Sequence, residues 1–172
     1  MPRPVRCGGQ VLALCLGYVC LVTPSAYGES LKGQLIGTWT LVSMTRIIDD
    51  TEQPGLLGRD PVGQFMFAPD GRMCFNAMRR DRPKFDSPYP GGTSEEKAAA
   101  YESYVGYCGR YEVNEEERSI LFRLDMGTYP NWTGTMEKRF AEITGTRLRI
   151  NTPPMLSGGK RIVGTVIWER AK

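Results

Sequence analysis

Apolar and polar residues alternate in short runs along most of the chain, and clusters of turn-forming residues separate the runs. A period of two is that of a strand with one face buried. Residues 38–48 are β-branched and apolar-rich and predict a first strand. Residues 49–63 hold Pro54, Gly55, Gly58, Pro61 and Gly63, which predict a loop. The clearest local signal comes next. Phe65-Met66-Phe67-Ala68 leads through Pro69-Asp70-Gly71 into Arg72-Met73-Cys74-Phe75, and an Asp-Gly turn between alternating runs predicts a hairpin. With Ala68 opposite Arg72, Phe67 meets Met73 and Phe65 meets Phe75. All four apolar side chains then share one face, leaving Arg72, Cys74 and Asn76 on the other.

Residues 81–92, with Pro83, Pro88, Pro90, Gly91 and Gly92, predict a second loop. A helix follows. Thr93 and Glu96 have the capping-box spacing, and residues 97–102 have high helix propensity. Tyr101, Tyr104 and Val105 lie at i, i+3 and i+4, a narrow stripe that would dock on a sheet before Gly106 ends the helix. Strands resume over 107–113, 119–125, 136–143, 147–151 and 162–170. Short strands at regular spacing predict an all-β antiparallel sandwich or barrel, and one short helix is too few for a parallel sheet. Closing the sheet into a barrel would remove its exposed edges.

Residues 1–28 break this pattern. Arg3 and Arg6 precede an apolar run over 11–22, and Thr23-Pro24-Ser25-Ala26-Tyr27-Gly28 ends the segment. These are the three parts of a signal peptide, with Ala26 and Gly28 at the small-residue positions, so cleavage after Gly28 is expected. The apolar run is short of the roughly 20 residues that span a bilayer. The expectation is therefore a signal peptide over 1–28 and one domain over 29–172, exported to the periplasm or the medium without a stable membrane anchor. Loss of Arg3 and Arg6 would lower the net charge from +3 to +1. The remaining charges are interspersed, which argues against a nucleic-acid partner. Of five cysteines, Cys74 and Cys108 would remain, an even number in an exported protein.

The chain contains no histidine. Ser–His and Cys–His catalytic pairs and His-ligated zinc are thereby excluded. No metal or cofactor motif is recognised. Gly158-Gly159-Lys160 lacks the rest of a phosphate-binding loop, and a strand follows it. Weight moves from catalysis to binding.

Several short motifs occur in order: Gly37-Thr38-Trp39, Asp60-Pro61-Val62-Gly63, Arg80-Asp81-Arg82-Pro83, Pro130-Asn131-Trp132-Thr133-Gly134-Thr135, Thr152-Pro153-Pro154 and Trp168-Glu169-Arg170. With the 69–73 turn and the 107–113 strand, they resemble a bacterial lipocalin-like family over about residues 35–170. The resemblance implies an antiparallel β-barrel with a central cavity. It also implies a plug at one end, in which Trp39 packs across the barrel and Arg170 stacks on it. Cys74 and Cys108 depart from the family pattern.

The aromatic set Phe65, Phe67, Phe75, Tyr107, Tyr111, Phe122, Phe140 and Trp168 is the expected inward face. It either lines a pocket for a small hydrophobic ligand or simply fills the barrel. Parity points the thiols of Cys74 and Cys108 away from that face, as a disulfide if their strands are neighbours and as two free thiols otherwise. Arg79, Arg80 and Arg82 either rim the mouth or form a salt-bridged turn, and Glu115-Glu116-Glu117 reads as an exposed hairpin tip. Asn131-Trp132-Thr133 matches a glycosylation acceptor that matters only in a eukaryotic secretory pathway. The leading reading is an exported carrier of a small hydrophobic molecule. The alternatives are a cyclase or isomerase moving one proton with a tyrosine or carboxylate, and a purely structural envelope module.

Overall fold

The apolar run after Gly37 becomes strand β1 (Gly37–Ile48), which is long enough to serve three neighbours. The fold comes from a computed structural model that describes residues 29–172, so the expected signal peptide and its cleavage site lie outside the described residues. The strands that follow are β2 (Thr51–Pro54), β3 (Pro61–Phe67), β4 (Arg72–Arg79), β5 (Tyr104–Asn114) and β6 (Ser119–Gly127). Then come β7 (Met136–Thr144), β8 (Arg147–Asn151), β9 (Met155–Ser157) and β10 (Lys160–Arg170). They pair in the order β1-β3-β4-β5-β6-β7-β8-β10, and β10 returns to β1, closing an antiparallel barrel of eight strands. The short β2 and β9 extend β1 and β10 beyond the ring.

The hairpin register is the expected one. Phe65 lies opposite Phe75 and Phe67 opposite Met73, while the Ala68 N–H donates to the Arg72 carbonyl at 2.8 Å. The outward residue Cys74 faces Cys108 in the β4–β5 ladder, and the two form a disulfide. Of the alternatives for these cysteines, the bridged one is realised.

Helices depart from expectation. The described residues form two α-helices, not one: α1 (Leu31–Leu35) and α2 (Ser94–Glu102). The capping box of α2 is present, with the Thr93 hydroxyl accepting from Glu96 N–H and the Glu96 carboxylate accepting from Thr93 N–H. Its expected apolar stripe is not. The helix stops at Glu102, buries no residue, and leaves Tyr101 half exposed. Tyr104 and Val105 open β5 instead, because pairing with Met78 and Ala77 offers them more burial than a helix end could. The loop expected over 49–63 contains β2 and the start of β3. Its tight turn is Asp49-Asp50, both with positive φ (45° and 65°), a conformation that short acidic side chains tolerate better than most.

Two irregularities set which residues face inward. In β1 the register shifts between Leu41 and Ser43, so Trp39 and Leu41 point inward before it and Met44 and Arg46 after it. In β6 the shift lies opposite Cys108 and Gly109. Glycine is required at Gly37, whose φ is +124° and whose absent Cβ would lie 3.3 Å from the Arg170 guanidinium.

Candidate functional site

The barrel interior divides into a half packed with large buried side chains and a half lined by smaller, polar and partly buried ones, the filled and the open half respectively. The filled half lies at the end carrying the N-terminus of β1 and the turns at 68–71, 114–118 and 144–146. Trp39, Phe65, Phe67, Met73, Phe122, Leu124 and Leu148 are fully buried there, and Trp168, also buried, stands where this half meets the other, 5.6 Å from Phe75. Their rings touch directly. Phe65 sits 4.2 Å from Phe67, 5.6 Å from Phe122 and 5.5 Å from Trp168. Side chains of this size stabilise the fold by about 1.5–3 kcal/mol each on burial, and they leave a ligand no room at this level.

Trp39 and Arg170 form the floor of this half, as the family resemblance implies. The Arg170 guanidinium lies 4.2 Å from the Trp39 ring and donates to the carbonyls of Ile36, at 3.0 Å, and Gln34. The Trp39 indole donates to the Leu35 carbonyl at 2.8 Å. Helix α1 caps the floor with Leu31 and Leu35, both buried. Glu115, read from sequence as an exposed tip, holds this helix in place. Its carboxylate accepts from Leu31 N–H at 2.7 Å and Lys32 N–H at 3.0 Å. Sequence reasoning missed both partners, although Ser30 before Leu31 and Leu35 at i, i+4 carried a short helix signal.

Toward the other end the inward positions change character. On β3, β4, β6 and β10 they are Gly63, Ala77, Gly127 and Gly164; on β1, β5 and β7 they are Arg46, Tyr107, Glu137 and Arg139. The apolar residues at this level, Met44, Val105, Tyr107, Trp132 and Val166, are partly buried and pack against the edge of the core. Tyr107 stacks on Phe75 at 4.7 Å, and Trp132, from the 3-10 turn Pro130–Trp132, meets its edge at 5.8 Å. Glu137 and Arg139 pair at 3.0 Å.

The wall also opens sideways. β1 and β3 pair only over Gly37–Thr40 and then part, as β1 takes β2 for its neighbour. A cleft of ≈ 500 Å³ lies there, reaching from outer-face Gln64, Asn76 and Tyr104 to inward-facing Leu41, Gly63 and Ala77. Leu57, 2% exposed, reaches the core from the loop between β2 and β3.

Of the expected inward aromatics, Phe65, Phe67, Phe75, Tyr111, Phe122 and Trp168 gather in the core, and Tyr107 packs against it. Phe140 does not. Ala141 and Ile143 pair with the inward Ile150 and Leu148, so parity turns Phe140 to the outer surface, where the Lys138 ammonium lies 5.5 Å from its ring. Six of the eight aromatics therefore fill the core, and Tyr107 lies at its edge. The basic cluster resolves into ion pairs, Arg79 with Asp81 at 2.9 Å and Arg80 with Asp60 at 2.6 Å, while Arg82 donates to the Ala100 carbonyl at 3.1 Å and ties α2 down.

Burial pushes the Tyr107 phenol up to about 12, so it is a neutral hydrogen-bond donor at physiological pH. A raised acid pKa favours folding while the unfolded tyrosine also keeps its proton, below 10.0. Above that pH the unfolded chain binds fewer protons and stability falls, by up to about 1.4 kcal/mol per pH unit. Tyr107→Phe is expected to flatten this alkaline limb in denaturation measured at several pH values. An unchanged slope would place Tyr107 in a wetter site. Glu137 bonds to Arg139 rather than to Tyr107. The pairing of a carboxyl with a pocket tyrosine that a proton-moving isomerase would favour is absent among the described residues around Tyr107.

A family model described as a lipocalin-like domain matches residues 36–171. A 4'-hydroxy-3'-methoxypropiophenone carrier protein of Aspergillus oryzae is 33% identical over 95 residues, which make up 50% of this chain and 86% of that protein. That relative is fungal, so the likeness is not confined to bacteria. No solved structure matches.

Proposed function

The chain belongs to the lipocalin-like domain family, and on that premise we propose that it is a carrier holding one small hydrophobic molecule in the open half of its barrel. The change in lining along the barrel axis carries this reading. One end is packed with fully buried aromatics, whereas the other presents partly buried Met44, Tyr107, Trp132 and Val166 around glycine and alanine positions. Sites of this kind combine an apolar wall with a few placed polar groups. The cleft between β1 and β3 lies beside that interior and reaches inward-facing Leu41, Gly63 and Ala77. The fungal relative, named as a carrier of an aryl ketone, supports a cargo of single-ring size. Export by the segment over 1–28 belongs to the same proposal, since release outside the cytoplasm suits both a carrier and a disulfide.

Titration with 4'-hydroxy-3'-methoxypropiophenone, followed by tryptophan fluorescence, tests the reading. Saturable quenching is expected, because Trp132 and Trp168 border the open half. Val166→Phe, which adds bulk to that half, is expected to weaken binding at least tenfold. Phe140→Ala, on the outer surface, is expected to leave it within about twofold, since substitutions away from a site rarely exceed ±0.5 kcal/mol. No saturable binding, or equal losses from the two variants, would count against the carrier.

A further inference from the structure

The inward wall offers hydrogen-bond donors that the protein does not satisfy. Trp168 is 1% exposed, and its Nε1 has no partner among the described residues. Arg46 Nε is likewise buried and unpaired. Unsatisfied buried donors are rare in native proteins, and each calls for a partner. Both belong to the inward face of one ladder. Trp168 lies opposite Leu41, before the register shift in β1, and Arg46 lies opposite Gly164, beyond it.

The surrounding groups sharpen the sign. Arg139 is also inward, and Glu137, the acid on this face of β7, is already taken by it. Arg46 has no carboxylate partner among the described residues, and the Tyr107 phenol adds a further donor. A pure hydrocarbon would leave both orphan N–H groups desolvated and unpaired, whereas an oxygen acceptor satisfies them at no cost in fit.

We infer that the carried molecule is an aromatic compound with a hydrogen-bond-accepting oxygen on or next to its ring, and that Arg46 Nε and Trp168 Nε1 donate to it. The inference rests on the carrier reading and adds the polarity of the cargo and the residues that read it.

Two probes with the same carbon skeleton isolate that polarity, propiophenone and n-propylbenzene, which differ only by the carbonyl oxygen. The carbonyl is better hydrated in water, so the quantity to compare is the ratio of the two affinities across variants. By calorimetry, Arg46→Met and Trp168→Phe are each expected to lower the ketone-to-hydrocarbon ratio about tenfold, the range of one hydrogen bond to a charged or buried donor. Arg46→Met is expected to leave n-propylbenzene binding within about twofold, and it should not destabilise the free protein, because it removes an unpaired buried donor. The Trp168 indole N–H proton resonance, assigned by its loss in Trp168→Phe, is expected to move downfield with propiophenone and not with n-propylbenzene. A ratio unchanged in both variants overturns the inference while leaving the carrier standing. Failure of both probes to bind overturns the inference and the carrier together.

Discussion

Trp39→Ala is expected to lower the unfolding free energy by about 4 kcal/mol, within the range for deleting a buried tryptophan. Three losses combine. The indole is 0% exposed, so its removal leaves a cavity under α1. The Leu35 carbonyl loses its donor, and the Arg170 guanidinium loses the ring it stacks on. Against a total of about 5–15 kcal/mol for a domain, this is a large share. Arg170→Lys should cost less, because the stem still packs, but a lysine cannot reproduce the planar fork that reaches Ile36 and Gln34. Guanidinium denaturation of the two variants checks the order, and a Trp39→Ala loss below about 1.5 kcal/mol would show that the floor is not closed as described. Ligand binding at the other end should persist in folded protein.

Reduction of the Cys74–Cys108 bridge is the second large effect. The bridge spans a sequence separation of 34, and a loop of that size gives an entropic stabilisation of about 2–4 kcal/mol. Both cysteines lie on the outer face, opposite in parity to Met73, Phe75 and Tyr107. A reductant, or the paired change Cys74→Ala with Cys108→Ala, is therefore expected to shift the denaturation midpoint with little change in ligand affinity. Equal midpoints with and without reductant would mean that the bridge adds nothing to stability. A matched loss of affinity would mean that the β4–β5 wall moves when it opens.

The parts of the fold that were legible in the sequence are those fixed by local chemistry. The Asp-Gly hairpin carried its own register, the capping box located α2, and parity placed both thiols outside. The floor was legible through the family motif, which matched Trp39 and Arg170. What escaped was set by distant partners. Phe140 reads as inward from sequence because β7 has apolar residues at both parities, and only its pairing with β8 selects Ala141 and Ile143. Glu137 and Arg139 went unnoticed as inward groups because charge in a strand reads as a solvent face. The Leu31–Leu35 helix depends on a carboxylate 84 residues away. The parting of β1 from β3, which opens the side cleft, depends on β1 exchanging one neighbour for another and leaves no periodic mark. The orphaned donors of Arg46 and Trp168 are visible only once burial and partners are known, and so the polar half of the site could not be read beforehand.

The central claim is that one half of the barrel is filled and the other receives a small aromatic molecule. Amide and indole chemical-shift mapping during titration with 4'-hydroxy-3'-methoxypropiophenone tests it most directly. Saturable shifts are expected at Met44, Arg46, Tyr107, Trp132 and Val166, with the Trp39 indole and the outward Phe140 unmoved. Shifts confined to the outer surface or to the Trp39 end, or none at saturating ligand, would contradict it.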